Sequence, residues 1–185
     1  MLDSKNPLMP TTALGGSSPK SEHFGRVQIT ENSDLALASV AVLGGAKPKP
    51  FGIVLPDVGQ ATQKGDYGAF WIGHNQWIVE ASSRADSDFS RELKSKVGKA
   101  LVTDQTDGYV CFDLHGPQDV LINVLNKLIN IDPKRLTPGT VVRTGLEHMT
   151  VFVIRRSDDH LSVLGMRGFA GSLWHVLSVA ASRSV

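Results

Sequence analysis

The residues best able to ligate a metal or carry a proton are six histidines (His23, His74, His115, His148, His160 and His175) and one cysteine, Cys111. No histidine has a second one three or four positions away, so a helical metal pair is absent. A lone cysteine excludes an internal disulfide and a thiolate zinc cage, and it fits a reducing cytoplasm. Cys111 alternates within YVCFDL, the pattern of a buried, inert strand thiol. His74 stands in the polar centre of FWIGHNQWIVEA and reads as a turn residue that tolerates unusual backbone angles. His115, beside Gly116 at a strand-to-helix junction, is placed for a structural or ligand hydrogen bond. The acidic pairs Asp158-Asp159 and Asp86/Asp88 fall in turn-like or capping contexts and read as solvated surface. A G-x-S-x-G elbow, a dinucleotide-binding glycine pattern and a P-loop lysine motif are all missing from the sequence. The chain therefore shows none of the usual local catalytic signatures.

The elements that would position such residues follow from periodicity. Residues 1–25 hold prolines, glycines and serines without hydrophobic period and are expected to be a flexible tail. The length of the rest, residues 26–185, suits one domain, or two small lobes sharing a core. Asp34 is placed to cap a short Ala/Leu/Val-rich helix over 35–43, ended by Gly44-Gly45. AKPKPFGIVLP should be extended, because proline disfavours helix in the residue before it. Residues 69–72 and 77–81 make a hairpin of aromatic and β-branched strands around a polar turn. A helix over 87–97 spaces Phe89, Leu93 and Val97 by four, with Gly98 past its end.

Strands at 100–103 and 109–114 flank the turn 104–108. LHGPQDVLINVLNKLINIDP then gives the strongest local signal. Leu121, Val124, Leu125 and Leu128 make an apolar stripe widened by Ile122 and Ile129, and asparagines and Lys127 lie opposite. Strands at 140–144, 149–155 and 161–166 and a helix at 172–181 complete an α+β domain with a mainly antiparallel sheet.

Bulk properties restrict the function. Of 185 residues, 41% are hydrophobic, enough for a globular core. Charge is nearly balanced, 19 Lys+Arg against 18 Asp+Glu, with no basic stripe for a nucleic acid. The N-terminus lacks the apolar run of a secretory signal, and the longest apolar stretch, residues 35–43, is too short to span a bilayer. The expectation is a cytoplasmic chain with neither nucleic acid nor membrane as partner.

Several blocks, read in order, resemble the gamma subunit of heterotetrameric sarcosine oxidase. They are FGIVLP at 51–56, FWIGHNQWIV at 70–79, FDLHGP at 112–117 with the amphipathic helix, IDP at 131–133, and GMRGFAGSLW at 165–174. The similarity covers about residues 35–181. At two places the sequence departs from the family: the hairpin turn Gly73-His74-Asn75-Gln76 stands where it typically has Gly-Pro-Asp-Glu, and Gly168 replaces a usual serine. The sister N-methylglutamate dehydrogenase complex has a similar subunit plan.

The resemblance implies a fold similar to the folate-binding T-protein of the glycine cleavage system, with residues 26–185 as a single domain of two small α+β lobes. It also implies a non-catalytic structural subunit of an oxidoreductase that demethylates an N-methyl amino acid, such as sarcosine to glycine, passing a one-carbon unit to tetrahydrofolate. The partners implied are alpha, beta and delta subunits. FAD, FMN, NAD, zinc and tetrahydrofolate would belong to those chains and no cofactor to this one. The residues singled out for structural or interface roles are Trp71, Trp77, Leu121, Leu125, Arg167 and Trp174. Alternative readings are a subunit of the N-methylglutamate complex, a free-standing folate-binding aminomethyltransferase-like protein, and an unrelated scaffold.

Overall fold

The computed structural model describes residues 10–184. Two antiparallel sheets stack face to face, and helices cover their outer faces. The six-stranded sheet contains β1 (Ser21–Phe24), β2 (Val27–Glu31), β8 (Tyr109–His115), β11 (His160–Met166), β10 (Met149–Ser157) and β9 (Thr140–Leu146), in that spatial order. The five-stranded sheet runs β4 (Ala61–Lys64), β5 (Tyr67–Gly73), β6 (Gln76–Ala81), β3 (Ala36–Ala41) and β7 (Leu101–Asp104). Helices α2 (Gln118–Leu128) and α3 (Ala170–Ser182) pack on the larger sheet, and α1 (Phe89–Lys96) packs on the smaller. The expected α+β class with mainly antiparallel sheets is the observed one.

Alternation along the strands divides the core into three. On β8, Val110, Phe112 and Leu114 point to α2 and α3, whereas Cys111 points to the seam between the sheets. On β10, Val151 and Val153 point to the helices and Phe152 and Ile154 to the seam. On β6, Trp77 and Val79 join the core beneath α1, and Ile78 the seam. Phe70 and Phe152 meet across the seam with ring centroids 5.6 Å apart.

The helices form where periodicity placed them. Asp88 caps α1 by accepting the Arg91 N–H at 3.2 Å, and Gly98 beyond it has φ of +58°. Leu121, Val124 and Leu125 of α2 are buried. Pro117 is the residue that caps α2, one position ahead of the first helical turn.

Three expectations need correction. Residues 36–41 are a strand rather than part of a helix over 35–43. β3 is interior to its sheet and buried on both faces, so it reads as a continuous apolar run, the same signature as a short buried helix. Asp34 uses its carbonyl oxygen to accept the N–H groups of Arg84 and Ala85.

Of the stretch 1–25 expected to be a flexible tail, residues 1–9 lie outside the described part and the rest is tied to the fold. Residues 21–24 form β1, and the Leu14 and Lys20 N–H groups donate to Glu31, 2% exposed on β2, at 3.0 and 3.2 Å. That anchor is a buried carboxylate elsewhere in the chain, which periodicity within 1–25 does not reveal.

The strands at 101–104 and 109–115 do not pair with each other. Their connection carries the chain from one sheet to the other, and Thr106 fixes it by exchanging hydrogen bonds with the Leu37 backbone.

Candidate functional site

Toward one side of the seam, apolar contact gives way to a polar cleft of about 270 Å³ lined by Asn32, Leu35, Gln63, Glu80, Ser82, Asp113, Arg156, His160 and Ser162. Strand alternation delivers the side chains. Asp113 follows Cys111 by two positions on the seam face of β8, and Ser162 lies directly opposite it in register on β11. His160 stands two residues from Ser162 on the same face. Arg156 sits at the bulge where the β10–β11 register shifts between Arg155 and Ser157, and a bulge re-aims the side chain it carries. Glu80 comes from the other sheet. Its partner across the β5–β6 ladder is Gly68, where a Cβ would lie 2.3 Å from Glu80 Oε1. Glycine there leaves the volume the carboxylate occupies.

These groups form one continuous network. Arg156 donates to Glu80 through both terminal nitrogens, at 2.5 and 2.9 Å, pinning one sheet to the other. Its Nε donates to Ser162 Oγ at 3.0 Å, and Ser162 donates in turn to Asp113 Oδ1 at 2.5 Å. Asp113 also accepts from His160 Nε2 at 3.0 Å and from Asn32 Nδ2 at 2.8 Å. His160 stacks on His115, with centroids 4.1 Å apart.

Electrostatics follow from this wiring. Burial opposes the Asp113 charge, but hydrogen bonds from His160, Ser162 and Asn32 and the His160 charge outweigh it and hold the carboxyl down to about 2. Burial likewise opposes the Arg156 charge, and Glu80 overcomes it, raising its pKa. Burial and then Asp113 push the Cys111 thiol well up, so its thiolate is disfavoured. Desolvation and the nearby His160 lower the pKa of His115.

A serine, a histidine and an aspartate meet here, yet they are wired in parallel. Ser162 and His160 both donate to the same Asp113 oxygen, so the hydroxyl proton points to the carboxylate and not to an imidazole base. A hydrolytic triad needs them in series, with the histidine between serine and aspartate. What the arrangement can do is hold two sheets in register and present a polar wall. Among the described residues no group of three His, Cys, Asp or Glu side chains is placed to hold a metal ion.

The residues singled out from the sequence lie elsewhere. Trp71 and Trp77 are directly opposite in the β5–β6 ladder and so share a face. Trp77 is buried and donates from Nε1 to the Pro56 carbonyl at 2.7 Å, and Trp71 is half-buried beside it. Leu121 and Leu125 lie in the core beneath α2, out of a partner's reach. Trp174 is buried edge-on to Phe112 at 5.5 Å, with the Lys20 ammonium 4.5 Å over its ring. Arg167 occupies the expected strand-to-helix corner, donating to the Thr11 carbonyl at 2.9 Å with Asp107 at 3.7 Å. His74 is exposed in its turn, but Asn75 takes the positive φ. Sequence reasoning missed the network at Asn32, Glu80, Asp113, Arg156, His160 and Ser162. The available signal was a single carboxylate interrupting an otherwise apolar strand, Glu80 in WIVEA and Asp113 in VCFDL.

No family model matches this chain, and no curated protein matches its sequence. Solved structures do. A chain of heterotetrameric sarcosine oxidase from Corynebacterium sp. U-96, in complex with pyrrole 2-carboxylate, superposes with a TM-score of 0.73 at 19% identity, covering 88% of this chain and 87% of that one. Glycine cleavage system aminomethyltransferase T from Bartonella henselae gives 0.56 at 16% identity, covering 82% of this chain but only 48% of that one. At these identities the likeness establishes the fold, which is that of T-protein-like structures. Among the described residues no helix is long and apolar enough to cross a membrane.

Proposed function

We propose that this chain is the small, gamma-type structural subunit of a heterotetrameric flavin-dependent complex that oxidatively demethylates an N-methyl amino acid. The observation that carries the proposal is the reciprocal coverage. The chain spans nearly the whole of a sarcosine oxidase chain of matching length, whereas it spans about half of the aminomethyltransferase. The blocks that resemble the gamma subunit point the same way, as does a polar cleft in which Glu80 and Arg156 are committed to each other across the seam and Asp113 to Ser162 and His160 beside it. In this reading alpha, beta and delta chains are the partners, and they hold the FAD, FMN, NAD, zinc and tetrahydrofolate. This chain stabilises their assembly.

Co-expression with the large flavoprotein subunits tests the reading. The expected result is co-purification, flavin absorbance only when the partners are present, and impaired assembly when this chain is omitted. A flavin-coloured isolated chain, or a complex that assembles and turns over normally without it, would overturn the proposal. Activity of the reconstituted complex on sarcosine against N-methylglutamate separates the oxidase from its sister complex. One-carbon transfer to tetrahydrofolate by the isolated chain would establish an aminomethyltransferase-like protein instead.

A further inference from the structure

The larger sheet brings together histidines that are far apart in the chain. His23 on β1 pairs with Gln28 on β2, Gln28 with His115 on β8, and His115 with His160 on β11. Residues directly opposite in a ladder share a face, so the four make one row across the sheet. Within that row only His115 and His160 are neighbours. His23 stands two strands from His115, on the order of 10 Å away. Opposite residues on adjacent antiparallel strands hold their Cβ atoms about 4.5–5.5 Å apart. Histidines one turn apart on a helix lie about 5–6 Å apart, and that spacing makes a metal pair there. His115 and His160 provide on a sheet the pair that no helix of this sequence provides. Their backbone is fixed, because β8 and β11 are interior strands and the Gly116 N–H, just beyond the pair, donates to the Asp159 carbonyl at 3.0 Å.

His160 Nε2 lies 3.0 Å from Asp113 Oδ1, on a carboxylate that also accepts from Ser162 and Asn32. An ionised carboxylate only accepts, so the hydrogen sits on Nε2 and the neutral ring keeps its lone pair on Nδ1. A carboxylate holding the far nitrogen of an imidazole is the usual outer partner of a metal-bound histidine. The His160 side chain is 25% exposed. His115 is exposed and stacks on His160 with centroids 4.1 Å apart and rings 25° from parallel. Its ring nitrogens make no hydrogen bond among the described residues, so the ring is free to turn. Two nitrogens on one tetrahedral ion lie roughly 3.3 Å apart, and rotation of the His115 ring about its broad outer torsion brings it there.

We propose that His115 and His160 chelate one divalent late-transition ion, such as zinc, at the rim of the polar cleft. No third His, Cys, Asp or Glu side chain among the described residues is placed to join them, so water completes the shell. Imidazole suits zinc, nickel and copper, and magnesium takes oxygen ligands instead. The bound ion cross-links β8 to β11 beside Asp113. This site goes beyond the subunit reading and does not depend on it.

The test uses the untagged full chain, stripped of metal with a chelator and titrated calorimetrically with zinc chloride and with magnesium chloride. The variants are His115→Asn and His160→Gln, and His23→Asn, in the same row, is the control. Zinc should bind and magnesium should not. Zinc affinity should fall by about tenfold or more in both pair variants and stay unchanged in the control. Zinc should also raise the urea midpoint of the wild type and leave that of His115→Asn where it was. His115 is exposed, so without metal its variant should unfold as the wild type does, which separates lost binding from lost folding. A wild-type chain that takes up no zinc, equal zinc affinity in His115→Asn, or zinc binding lost in His23→Asn would each overturn the site. None of these results touches the subunit reading, which stands or falls on assembly with the flavoprotein.

Discussion

Asp113 accepts hydrogen bonds from Asn32 after β2 and from His160 and Ser162 on β11, and its charge is the point on which the polar network turns. Its folded pKa of about 2 lies below the ordinary value of 3.8. A depressed carboxyl adds stability that is fully present above the unfolded pKa and lost as pH falls through the folded one. The two values correspond to about 2 kcal/mol. Asp113→Asn should therefore flatten the fall in urea-unfolding stability as pH drops from 3.8 to about 2; an unchanged acid slope would show that the carboxylate is not held as described. Arg155 is the opposite case. It is 1% exposed, with Nη2 donating to the Asp158 carbonyl and Nε and Nη1 without partners among the described residues. Burial lowers its pKa. An unsatisfied buried donor costs about 1–3 kcal/mol, so Arg155→Met should raise the melting temperature. A lower one would reveal a partner for those nitrogens.

At the scale of elements, α1 depends on its two ends, because its eight residues are too few to be stable alone. Asp88→Ala removes the cap and should cost about 1 kcal/mol in chemical denaturation; no loss would mean that packing of Phe89 and Leu93 alone holds the helix. In the β5–β6 pair, Gly68→Ala places a methyl where the Glu80 carboxylate lies, 2.3 Å from Oε1. The carboxylate has to shift away from Arg156, so the variant should unfold at lower denaturant than wild type. Substituting Gly73 is the control, since a Cβ there meets only the Gln76 side chain at 3.7 Å. Equal effects at the two glycines would discard the steric account.

For the whole molecule, what matters is how the two sheets are joined. The seam is apolar along Leu37, Phe70, Ile78, Val141, Phe152 and Ile154, and Glu80–Arg156 is its charged clamp. Removing one partner of a buried pair leaves the other uncompensated, whereas replacing both by apolar groups is often close to neutral. Glu80→Gln should cost about 3 kcal/mol, and Glu80→Leu with Arg156→Met should recover most of that loss. A double variant as unstable as the single one would mean that the clamp itself, and not the stranded charge, sets the stability of the seam.

Where a segment's own residues carried the signal, its fold was legible. The helices at 89–96 and 118–128 follow from apolar spacing of three and four, and the hairpin expected over 69–72 and 77–81 from aromatic and β-branched runs around a polar turn, all local properties. β3 was not legible, because an apolar run of its length satisfies helix and interior strand equally, and only pairing with β6 and β7 decides between them. The polar network was hidden for the same reason. Glu80 and Arg156 are 76 positions apart, and Asp113 and Ser162 are 49 apart. Composition and motif determined that this chain carries no local catalytic signature. Which polar groups meet, and that serine, histidine and aspartate meet in parallel rather than in series, was decided by the register of β8 against β11 and by the stacking of two sheets, which no local pattern encodes.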